Sequence, residues 1–342
     1  MAVHMDLKEQ TVLITGGAGF IGSELVRRAA AEGARVRIVD NLANGKRRNV
    51  EETLSDLVEF IEADVRNLDR MKSLLEGVDR VYHLACLGVR HSIHSPRENH
   101  DVNATATLDL LRLAREAGVK RFVYVSSSEI YGTAHQAPIT EETPAFPHTV
   151  YGASKLAGDC YARAYWDTYR FPTTVVRPFN SYGPRCHHEG DSGEVIPKFI
   201  LRSLAGQPLI VFGDGRQTRD FMFVEETAHW ILQAGLREEL VGQTVNLGSG
   251  KEIAIGDLAR KVLEIVGRPN GAIRHDAPRP GDVLRLWADT GRIARLLDFR
   301  SRIGLDEGLR KLLAWYVQSG QPPEELLKDE VVRNWENPHR TP

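Results

Sequence analysis

Short apolar runs alternate with segments of helical periodicity along the first half of the chain. The apolar runs, which predict strands buried on both faces, lie at residues 11–15, 35–39, 58–61, 80–84, 121–125 and 173–176. Helical spacing, with apolar residues three or four positions apart, covers residues 20–32, 99–117 and 151–169. Strands separated by helices favour a parallel sheet covered on both faces. The pattern therefore predicts an α/β fold with a Rossmann-type doubly wound parallel sheet.

The pattern changes after Arg177. Proline and glycine cluster over residues 178–197 around the polar stretch CHHEGDSG, which is typical of loops. Residues 223–247 again show a helix followed by a strand. Amphipathic helical spacing recurs at residues 255–266 and 306–318. We expect two domains, a first over residues 1–178 to which 223–247 returns, and a smaller α/β C-terminal one over residues 179–222 and 248–342.

A glycine-rich turn follows the first predicted strand. Residues 14–23 read ITGGAGFIGS, and their glycines fit both GxGxxG and GxxGxxG. Glycines here allow a tight turn and the close approach of a pyrophosphate, which binds the amides at the start of the next helix. Asp40 lies 18 positions after Gly22, at the end of the second strand, where a carboxylate suits the ribose hydroxyls of NAD. The basic residues 46–48 keep NADP open as an alternative.

Asp64 follows the third predicted strand, and its carboxylate has two interpretations. It can accept a hydrogen bond from an adenine amino group, or it can cap the helix that follows. We favour the first because the fold places this loop beside the cofactor.

Tyr151 and Lys155 form a YxxxK pair, one helical turn apart on one face of a predicted helix. The pair alone is a weak signal, but the run SSS at 126–128 ends the fifth strand, at the carboxyl edge where open α/β sheets build their sites. A tyrosine with its ordinary pKa of about 10 is a poor base at neutral pH, and an adjacent ammonium stabilises the phenolate. A serine hydroxyl can then hold the oxygen of a substrate. These residues predict acid–base catalysis by tyrosine.

Together these motifs resemble those of the extended short-chain dehydrogenases/reductases, within the NAD-dependent nucleotide-sugar epimerase/dehydratase family. The resemblance spans nearly the whole chain and identifies the family far better than the substrate. It rests on the stretches ITGGAGFIGS, ADVRN, VYHLA, NATATLDLL, YVSSSEIYG, YGASK, RPFNSYGP, FGDGRQTRDF, VNLGSG and RPGDVLRLWAD. It implies an enzyme with NAD as cofactor, a UDP-sugar as substrate, and a homodimer in which the helices at 99–117 and 151–169 form a four-helix bundle.

The resemblance also implies which residues form the site. The catalytic residues are Ser127, Tyr151 and Lys155. The cofactor residues are Gly16, Gly19, Phe20, Ile21, Gly22, Asp40, Asn41, Asp64, Val65, Leu84, Ala85, Asn103, Tyr151, Lys155 and Pro178, with Asn103 in a supporting structural role. The substrate residues are Arg90, Ser127, Ser128, Asn180, Arg185, Val195, Phe212, Arg219, Arg279 and Asp282. Of these, Asn180, Arg219 and Arg279 are expected at the diphosphate, Phe212 at the base and Asp282 at the ribose. Arginine suits phosphate because its forked donors bind two oxygens.

Three reactions of the family begin with the same 4-keto sugar. An epimerase returns hydride to the other face of the ketone, a dehydratase eliminates water across C5–C6, and a decarboxylase removes the carboxylate of a 4-keto uronic acid. Dehydratases of the family typically carry an Asp-Glu pair after the catalytic hydroxyl residue. Here Ser128 replaces the Asp and Glu129 keeps the Glu. Decarboxylases share that Glu, but the chain lacks their Cys-, Tyr- and acid-rich stretch after the GP dipeptide.

A UDP-sugar 4-epimerase is therefore the first choice, and UDP-glucuronate is favoured over UDP-glucose and UDP-N-acetylglucosamine. The segment 87–92, LGVRHS, resembles the GVRxS stretch of uronate 4-epimerases, and Arg90 and Arg185 are candidates to face a carboxylate. The alternatives among enzymes are a UDP-glucuronate decarboxylase and a nucleotide-sugar 4,6-dehydratase. The alternative outside enzymes is an NAD-binding sensor, against which the intact catalytic residues argue.

Composition narrows the class of partner. The chain has 342 residues, with 44 Lys and Arg against 46 Asp and Glu, so its net charge of −2 gives no electrostatic case for nucleic acid. No window approaches the ~18 continuous apolar residues of a membrane span. Three cysteines outside CxxC pairs favour a reducing cytoplasm. His187 and His188 lack the accompanying ligand spacing of a metal site, so we expect no metal.

Overall fold

The computed structural model describes residues 7–134, 136–190, 192–279 and 283–336. Its strands are β1 (Thr11–Thr15), β2 (Arg35–Asp40), β3 (Val58–Glu62), β4 (Arg80–His83), β5 (Arg121–Val125), β6 (Thr173–Pro178), β7 (Asn180–Tyr182), β8 (Leu209–Phe212), β9 (Thr218–Arg219), β10 (Phe221–Phe223), β11 (Thr244–Leu247), β12 (Ile253–Ala254), β13 (Ile273–Asp276) and β14 (Arg285–Leu286). Its helices are α1 (Phe20–Ala31), α2 (Leu68–Leu74), α3 (Val89–His94), α4 (Pro96–His100), α5 (Ala106–Glu116), α6 (Val150–Tyr169), α7 (Val195–Leu204), α8 (Val224–Leu236), α9 (Ile255–Ile265), α10 (Gly291–Leu297), α11 (Leu305–Gln318) and α12 (Pro323–Leu326). A π-helical turn, Asp101–Thr105, joins α4 to α5.

Seven strands within the described ranges form one parallel sheet, in the order β11-β6-β5-β4-β1-β2-β3. Alternate residues of β1 enter two different cores. Val12 and Ile14 pack in the core that contains residues of α1 and α8, whereas Leu13 packs in the core that contains residues of α2 and α5. Helices therefore cover both faces, which confirms the predicted Rossmann-type doubly wound parallel sheet.

The strand order reverses between β1 and β4, and this reversal opens a crevice at the carboxyl edge of the sheet. Open α/β sheets bind their ligands at such a point, because the two loops that follow the diverging strands separate there. The glycine-rich turn follows β1, and Leu84 and Ala85 follow β4.

The helix predicted over residues 99–117 is interrupted by the π-helical turn. In that turn the Asn103 side chain accepts a hydrogen bond from Leu87 N at 2.8 Å and donates to Leu87 O at 2.9 Å. It also donates to Ser154 Oγ of α6 at 3.1 Å. Periodicity could not predict this turn, because the contacts made there are with a loop and a helix distant in sequence.

Small sheets form the region beside the crevice, where β7 pairs with β10, β8 pairs with β13, and β9 lies between β12 and β14. A second hydrophobic core lies there, with Phe199 of α7, Leu258 of α9 and Leu312 of α11 fully or almost fully buried. Segment 223–247 contributes the edge strand β11 to the main sheet and the helix α8 that packs against this sheet. The short strands went unpredicted because two to four residues carry no readable period.

Within the described residues, no helix combines the length and the apolar character that a membrane crossing requires.

Candidate functional site

A cavity of about 730 Å³ begins at the crevice between β1 and β4 and reaches the small sheets. Its volume is in the usual range for small-molecule sites. Gly16 and Gly19 line it on the Rossmann side, and Phe212, Arg219 and Arg279 line it on the other. One continuous cavity therefore joins the residues expected at a dinucleotide to those expected at a nucleotide sugar.

The glycine turn brings the backbone close to this cavity. Gly16 has a φ of +70°, and a Cβ there would lie 2.7 Å from Ala85 N. A Cβ at Gly22 would collide with the carbonyl oxygen of Gly16. Both positions therefore need glycine, and the first residues of α1 line the cavity as a pyrophosphate site requires.

The Asp40 carboxylate lies at the end of β2 and also lines the cavity. It accepts hydrogen bonds from Ala18 N at 3.0 Å and from Leu42 N at 2.8 Å. Burial raises the pKa of Asp40, while the two backbone hydrogen bonds oppose that shift. Two amides thus hold an acceptor in place where the ribose hydroxyls of a dinucleotide would lie. The turn and this carboxylate together fit NAD.

Most residues expected at the cofactor line the cavity, namely Gly16, Gly19, Phe20, Ile21, Gly22, Asp40, Asn41, Val65, Leu84, Ala85 and Tyr151. Asp64, Asn103, Lys155 and Pro178 do not line it. The Asp64 carboxylate accepts hydrogen bonds from Arg66 Nη2 at 2.7 Å and Asn41 Nδ2 at 2.9 Å. Hydrogen bonding from Arg66 lowers the pKa of Asp64 to about 2. The second interpretation of Asp64, as the cap of the helix that follows, is wrong, because the side chain of Asn67 caps α2.

Ser127 and Tyr151 both line the cavity, and the Ser127 hydroxyl accepts a hydrogen bond from Glu129 N at 3.2 Å. Ser127 follows β5, and Tyr151 lies in the first turn of α6, which Thr149 caps by accepting from Gly152 N at 3.0 Å. Burial raises the pKa of Tyr151 well above its usual value, and the Ser127 hydroxyl only partly opposes this. The phenol is therefore protonated near neutral pH in this state of the protein.

Lys155 lies one turn further along α6 and is buried. Its Nζ donates to Val125 O at 2.6 Å and lies 4.6 Å from the ring centroid of Tyr124. Burial lowers the pKa of Lys155. The three residues predicted as catalytic therefore gather at the carboxyl end of β5, although the ammonium binds the strand and does not line the cavity.

Two further groups of the cavity wall act on the same phenol. After burial, the charges of Cys86 and Glu129 are the next causes that raise the pKa of Tyr151. Both residues line the cavity. Sequence reasoning left the role of Glu129 open and did not select Cys86, which follows Ala85 directly.

The residues expected at the substrate that line the cavity are Arg90, Ser127, Asn180, Val195, Phe212, Arg219 and Arg279. The Arg279 guanidinium lies 5.9 Å from the ring centroid of Phe212 and 5.2 Å from that of Trp335. Asp282 lies outside the described residues.

The structure does not support the expected positions of Arg185 and Ser128. Arg185 donates to Ser23 Oγ at 3.0 Å and to the Glu24 carboxylate at 2.9 Å, so its charge is paired on α1. Ser128 is buried, and neither residue lines the cavity. Arg185 directly follows the motif RPFNSYGP, and sequence alone could not show that Glu24, distant in sequence, pairs with its guanidinium.

Several charged or polar residues of the cavity were missed by the sequence analysis, namely Glu194, Lys198, Arg202, Glu330 and Asn334. They come from α7 and its N-cap, and from the segment after α12. Burial raises the pKa of Glu194 to about 7, although His187 and Arg90 oppose the shift. The amphipathic spacing of α7 was the signal that could have identified the residues of this helix. The sequence analysis instead assigned the start of α7 to the loop predicted over residues 178–197.

Lys46, in the loop after β2, forms an ion pair with Glu189 of the loop before α7. The two side chains are 33% and 26% exposed. Burial disfavours the charge of Glu189, but hydrogen bonds from His187 and Lys46 bring its pKa far below the usual value. Arg47 lies over the ring of Phe60 at 5.1 Å. Lys46 thus links two loops whose residues Gly45 and His187 line the cavity, and its charge is paired with Glu189. Among the described residues, no group of three or more His, Cys, Asp or Glu is arranged to hold a metal ion.

Comparison with known proteins agrees with this geometry. The model of the NAD dependent epimerase/dehydratase family matches residues 12–248. The UDP-glucose 4-epimerase of Mycolicibacterium smegmatis is 35% identical over 313 residues, covering 90% of this chain and 99% of that protein.

Two solved structures show the same fold. The UDP-N-acetylglucosamine 4-epimerase of Methanobrevibacter ruminantium, in complex with UDP-N-acetylmuramic acid, has a TM-score of 0.86 at 29% identity, covering 91% of this chain and 99% of that one. DesIV, the dTDP-glucose 4,6-dehydratase of Streptomyces venezuelae with NAD bound, has a TM-score of 0.84 at 32% identity, covering 90% and 97%. The chain is therefore an enzyme of the NAD-dependent epimerase/dehydratase family, with an extended short-chain dehydrogenase/reductase fold and NAD as its cofactor.

Proposed function

We propose that this enzyme is a UDP-sugar 4-epimerase that acts through a 4-keto intermediate. The observation that carries the proposal is that Ser127 and Tyr151 line the same cavity, which is continuous from the glycine turn to Arg219 and Arg279. A nucleotide sugar whose diphosphate lies at the arginines would reach this pair with its sugar. The similarity to 4-epimerases of UDP-glucose and UDP-N-acetylglucosamine supports the same reaction.

In this mechanism Tyr151, deprotonated once the ligands are bound, takes the proton of the sugar 4-hydroxyl while Ser127 donates a hydrogen bond to the same oxygen. The glycine turn and Asp40 would hold NAD, which would supply the hydride acceptor for C4 and the hydride donor for the return step. Lys155 keeps the end of β5 and the start of α6 in register through its hydrogen bond to Val125 O. After the ketone turns its other face, Tyr151 returns the proton and the configuration at C4 is inverted.

The charges along the cavity favour a neutral sugar over UDP-glucuronate. Arg185, one of the two arginines expected at a uronate carboxylate, pairs with Glu24. The other, Arg90, faces Glu194, whose pKa it helps to lower. Glu129 adds a second carboxylate to the wall. A uronate would meet both acids, so we place UDP-glucose and UDP-N-acetylglucosamine first and UDP-glucuronate second.

A 4,6-dehydratase is the second candidate, because Glu129 lines the cavity and lies near enough to Tyr151 to raise its pKa. Water elimination needs a base at C5 and an acid at the C6 hydroxyl, and Glu129 could serve as one of these. Ser128 cannot supply the other group, since it is buried away from the cavity.

A panel of UDP-sugars tests the proposal. The NAD-loaded enzyme is incubated with UDP-glucose, UDP-N-acetylglucosamine and UDP-glucuronate, and products are identified by NMR and mass spectrometry. An epimerase gives products of unchanged mass with inverted C4. A product lighter by one water identifies a dehydratase, and loss of carbon dioxide from UDP-glucuronate identifies a decarboxylase.

We also propose a homodimer through α5 and α6, as the family resemblance implies. Leu108 and Tyr169 support it, because these large side chains on the two packed helices are 38% and 51% exposed. Light scattering should give about twice the chain mass, and Leu108→Glu should shift it to the monomer. A cytoplasmic location remains an expectation from the cysteine content.

A further inference from the structure

Lys198 is a cavity lysine to which no sequence motif assigns a role. It lies in the first turns of α7, and its Nζ donates to Val331 O at 2.8 Å in the segment after α12. Its side chain passes over Gly193, where a Cβ would collide with Cε of the lysine. Asn334 in turn donates to Gly193 O at 3.2 Å. The backbone at Gly193 and at Val331 therefore fixes the conformation of the Lys198 side chain along the cavity wall.

Three arginines, Arg90, Arg202 and Arg279, line the same cavity as Lys198. Their charges lower the pKa of Lys198, whereas the carboxylate of Glu330 opposes that shift. That carboxylate is already held by Arg202, through Nε at 2.9 Å and Nη2 at 2.7 Å. Positive charges brought together in a partly dry cavity repel one another unless an anion binds among them. The cavity wall is therefore arranged for a ligand that carries more than one negative charge.

We propose that Lys198 is a ligand of the diphosphate of the nucleotide substrate, in addition to the arginines implied by the family resemblance. The inference rests on the proposed function only in taking a nucleoside diphosphate as the ligand. The ammonium would contact a phosphate oxygen as a point charge, on the side of the cavity formed by α7 and the segment after α12. It takes no part in the chemistry at C4.

This assignment has a consequence for pH that a merely structural lysine would not have. Burial, followed by the three arginines, lowers the pKa of Lys198 to about 8 in the absence of ligand. A bound diphosphate stabilises the ammonium and raises that pKa again. Binding above pH 8 therefore requires uptake of a proton, and affinity falls as pH rises. An arginine at the same position stays charged over this range, so its affinity should not fall.

Calorimetric titration of the NAD-loaded enzyme with UDP at pH 7.5 and pH 8.5 tests this directly, because neither the β-phosphate nor the uracil ring of UDP titrates substantially in that interval. The wild type should bind UDP about threefold more weakly at pH 8.5. Lys198→Arg should bind at both pH values with similar affinity. Lys198→Met should bind at least about tenfold more weakly at pH 7.5 and lose the pH dependence. Lys72→Met, an exposed lysine of α2, is the matched control and should behave as the wild type.

Two results would overturn the inference: Lys198→Met binding UDP as tightly as the wild type, or the wild-type pH dependence persisting in Lys198→Arg. Bound NAD, measured by its absorbance after denaturation, should be equal in all variants, and its loss in Lys198→Met would indicate a structural role instead. Failure of the proposed epimerase reaction is seen separately, as absent turnover of UDP-sugars by a wild type that still binds UDP with the predicted pH dependence.

Discussion

Lys155 donates a 2.6 Å hydrogen bond to the main-chain carbonyl of Val125, and this contact ties the YxxxK helix to the strand that precedes Ser127. The sequence analysis expected the ammonium to stabilise the Tyr151 phenolate. In the protein without ligand, burial raises the pKa of Tyr151 and lowers that of Lys155, so both groups are held toward their neutral forms. For Tyr151 to act as a base, a bound ligand must therefore lower its pKa, and the positive charge of NAD+ would have that effect.

Tyr151→Phe tests the assignment of the base. Loss of the phenol should lower turnover by ~10²–10⁴-fold, the usual contribution of a positioned acid–base group. Binding of NAD and UDP should be unchanged, since the ring and the fold are kept. Tyr161→Phe, on the same helix, serves as the control and should retain activity. Near-normal turnover by Tyr151→Phe would show that another group takes the proton.

Asp40→Asn tests the recognition of the cofactor ribose. Replacing the carboxylate should weaken NAD binding by about tenfold, because a charged acceptor makes stronger hydrogen bonds than an amide, and it should narrow the preference for NAD over NADP. Burial raises the pKa of Asp40. As the pH is lowered, the wild type should therefore begin to lose affinity for NAD at a higher pH than an ordinary aspartate would cause. The affinity of the variant for NAD should not show this pH dependence. Titrations with both cofactors at several pH values check this, with Asp69→Asn as the exposed control. Unchanged selectivity in Asp40→Asn would remove Asp40 from the ribose site.

The ion pair between Lys46 and Glu189 should slow release of the cofactor, because it joins two loops whose residues Gly45 and His187 line the cavity. Lys46→Met and Glu189→Gln should each accelerate NAD release by a factor of about 2–5, as partly exposed ion pairs contribute up to ~1 kcal/mol. Lys261→Met removes a pair with Asp306 that lies outside the cavity wall and is the matched control. Stopped-flow displacement of NAD measures the rates. Equal release rates in all four proteins would show that the pair does not restrain the cofactor.

Glu194→Gln should stabilise the protein at high pH. The pKa of Glu194 is raised from 4.5 to about 7 by burial. Between these values the folded protein holds a proton that the unfolded chain has lost, so the free energy of unfolding falls as pH rises. The variant should therefore exceed the wild type by ~1–3 kcal/mol above pH 7, with the difference disappearing near pH 4.5.

Urea unfolding of the NAD-loaded proteins from pH 4.5 to 8.5 measures this difference, and Glu264→Gln on the exposed side of α9 controls for loss of a surface charge. A constant difference between Glu194→Gln and the wild type at every pH would contradict the raised pKa.

The sequence predicted the parts of this molecule that depend on local pattern. Apolar runs identified the strands of the Rossmann sheet up to β6, and the glycine turn and YxxxK pair indicated the cofactor and catalytic residues. In these cases the chemistry is carried by residues close together in sequence or by a strand end whose position the fold class determines.

The sequence could not predict pairings that form only in three dimensions. Arg185 was expected at the sugar, but Glu24 of α1 holds its guanidinium. Lys198 and Glu330 went unnoticed because α7 and the segment after α12 meet only in the folded chain. The position of each of these charged side chains is determined by its bonding partner, and in each case that partner lies more than a hundred residues away in the sequence.

The central claim is that hydride leaves C4 of a UDP-sugar and returns to the same carbon. It is tested most directly by turnover of UDP-glucose labelled with deuterium at C4, using the NAD-loaded enzyme and reading the product by NMR and mass spectrometry. An epimerase gives UDP-galactose of unchanged mass that retains deuterium at C4. A product 18 Da lighter, or a galacto product without deuterium at C4, would contradict the proposed reaction.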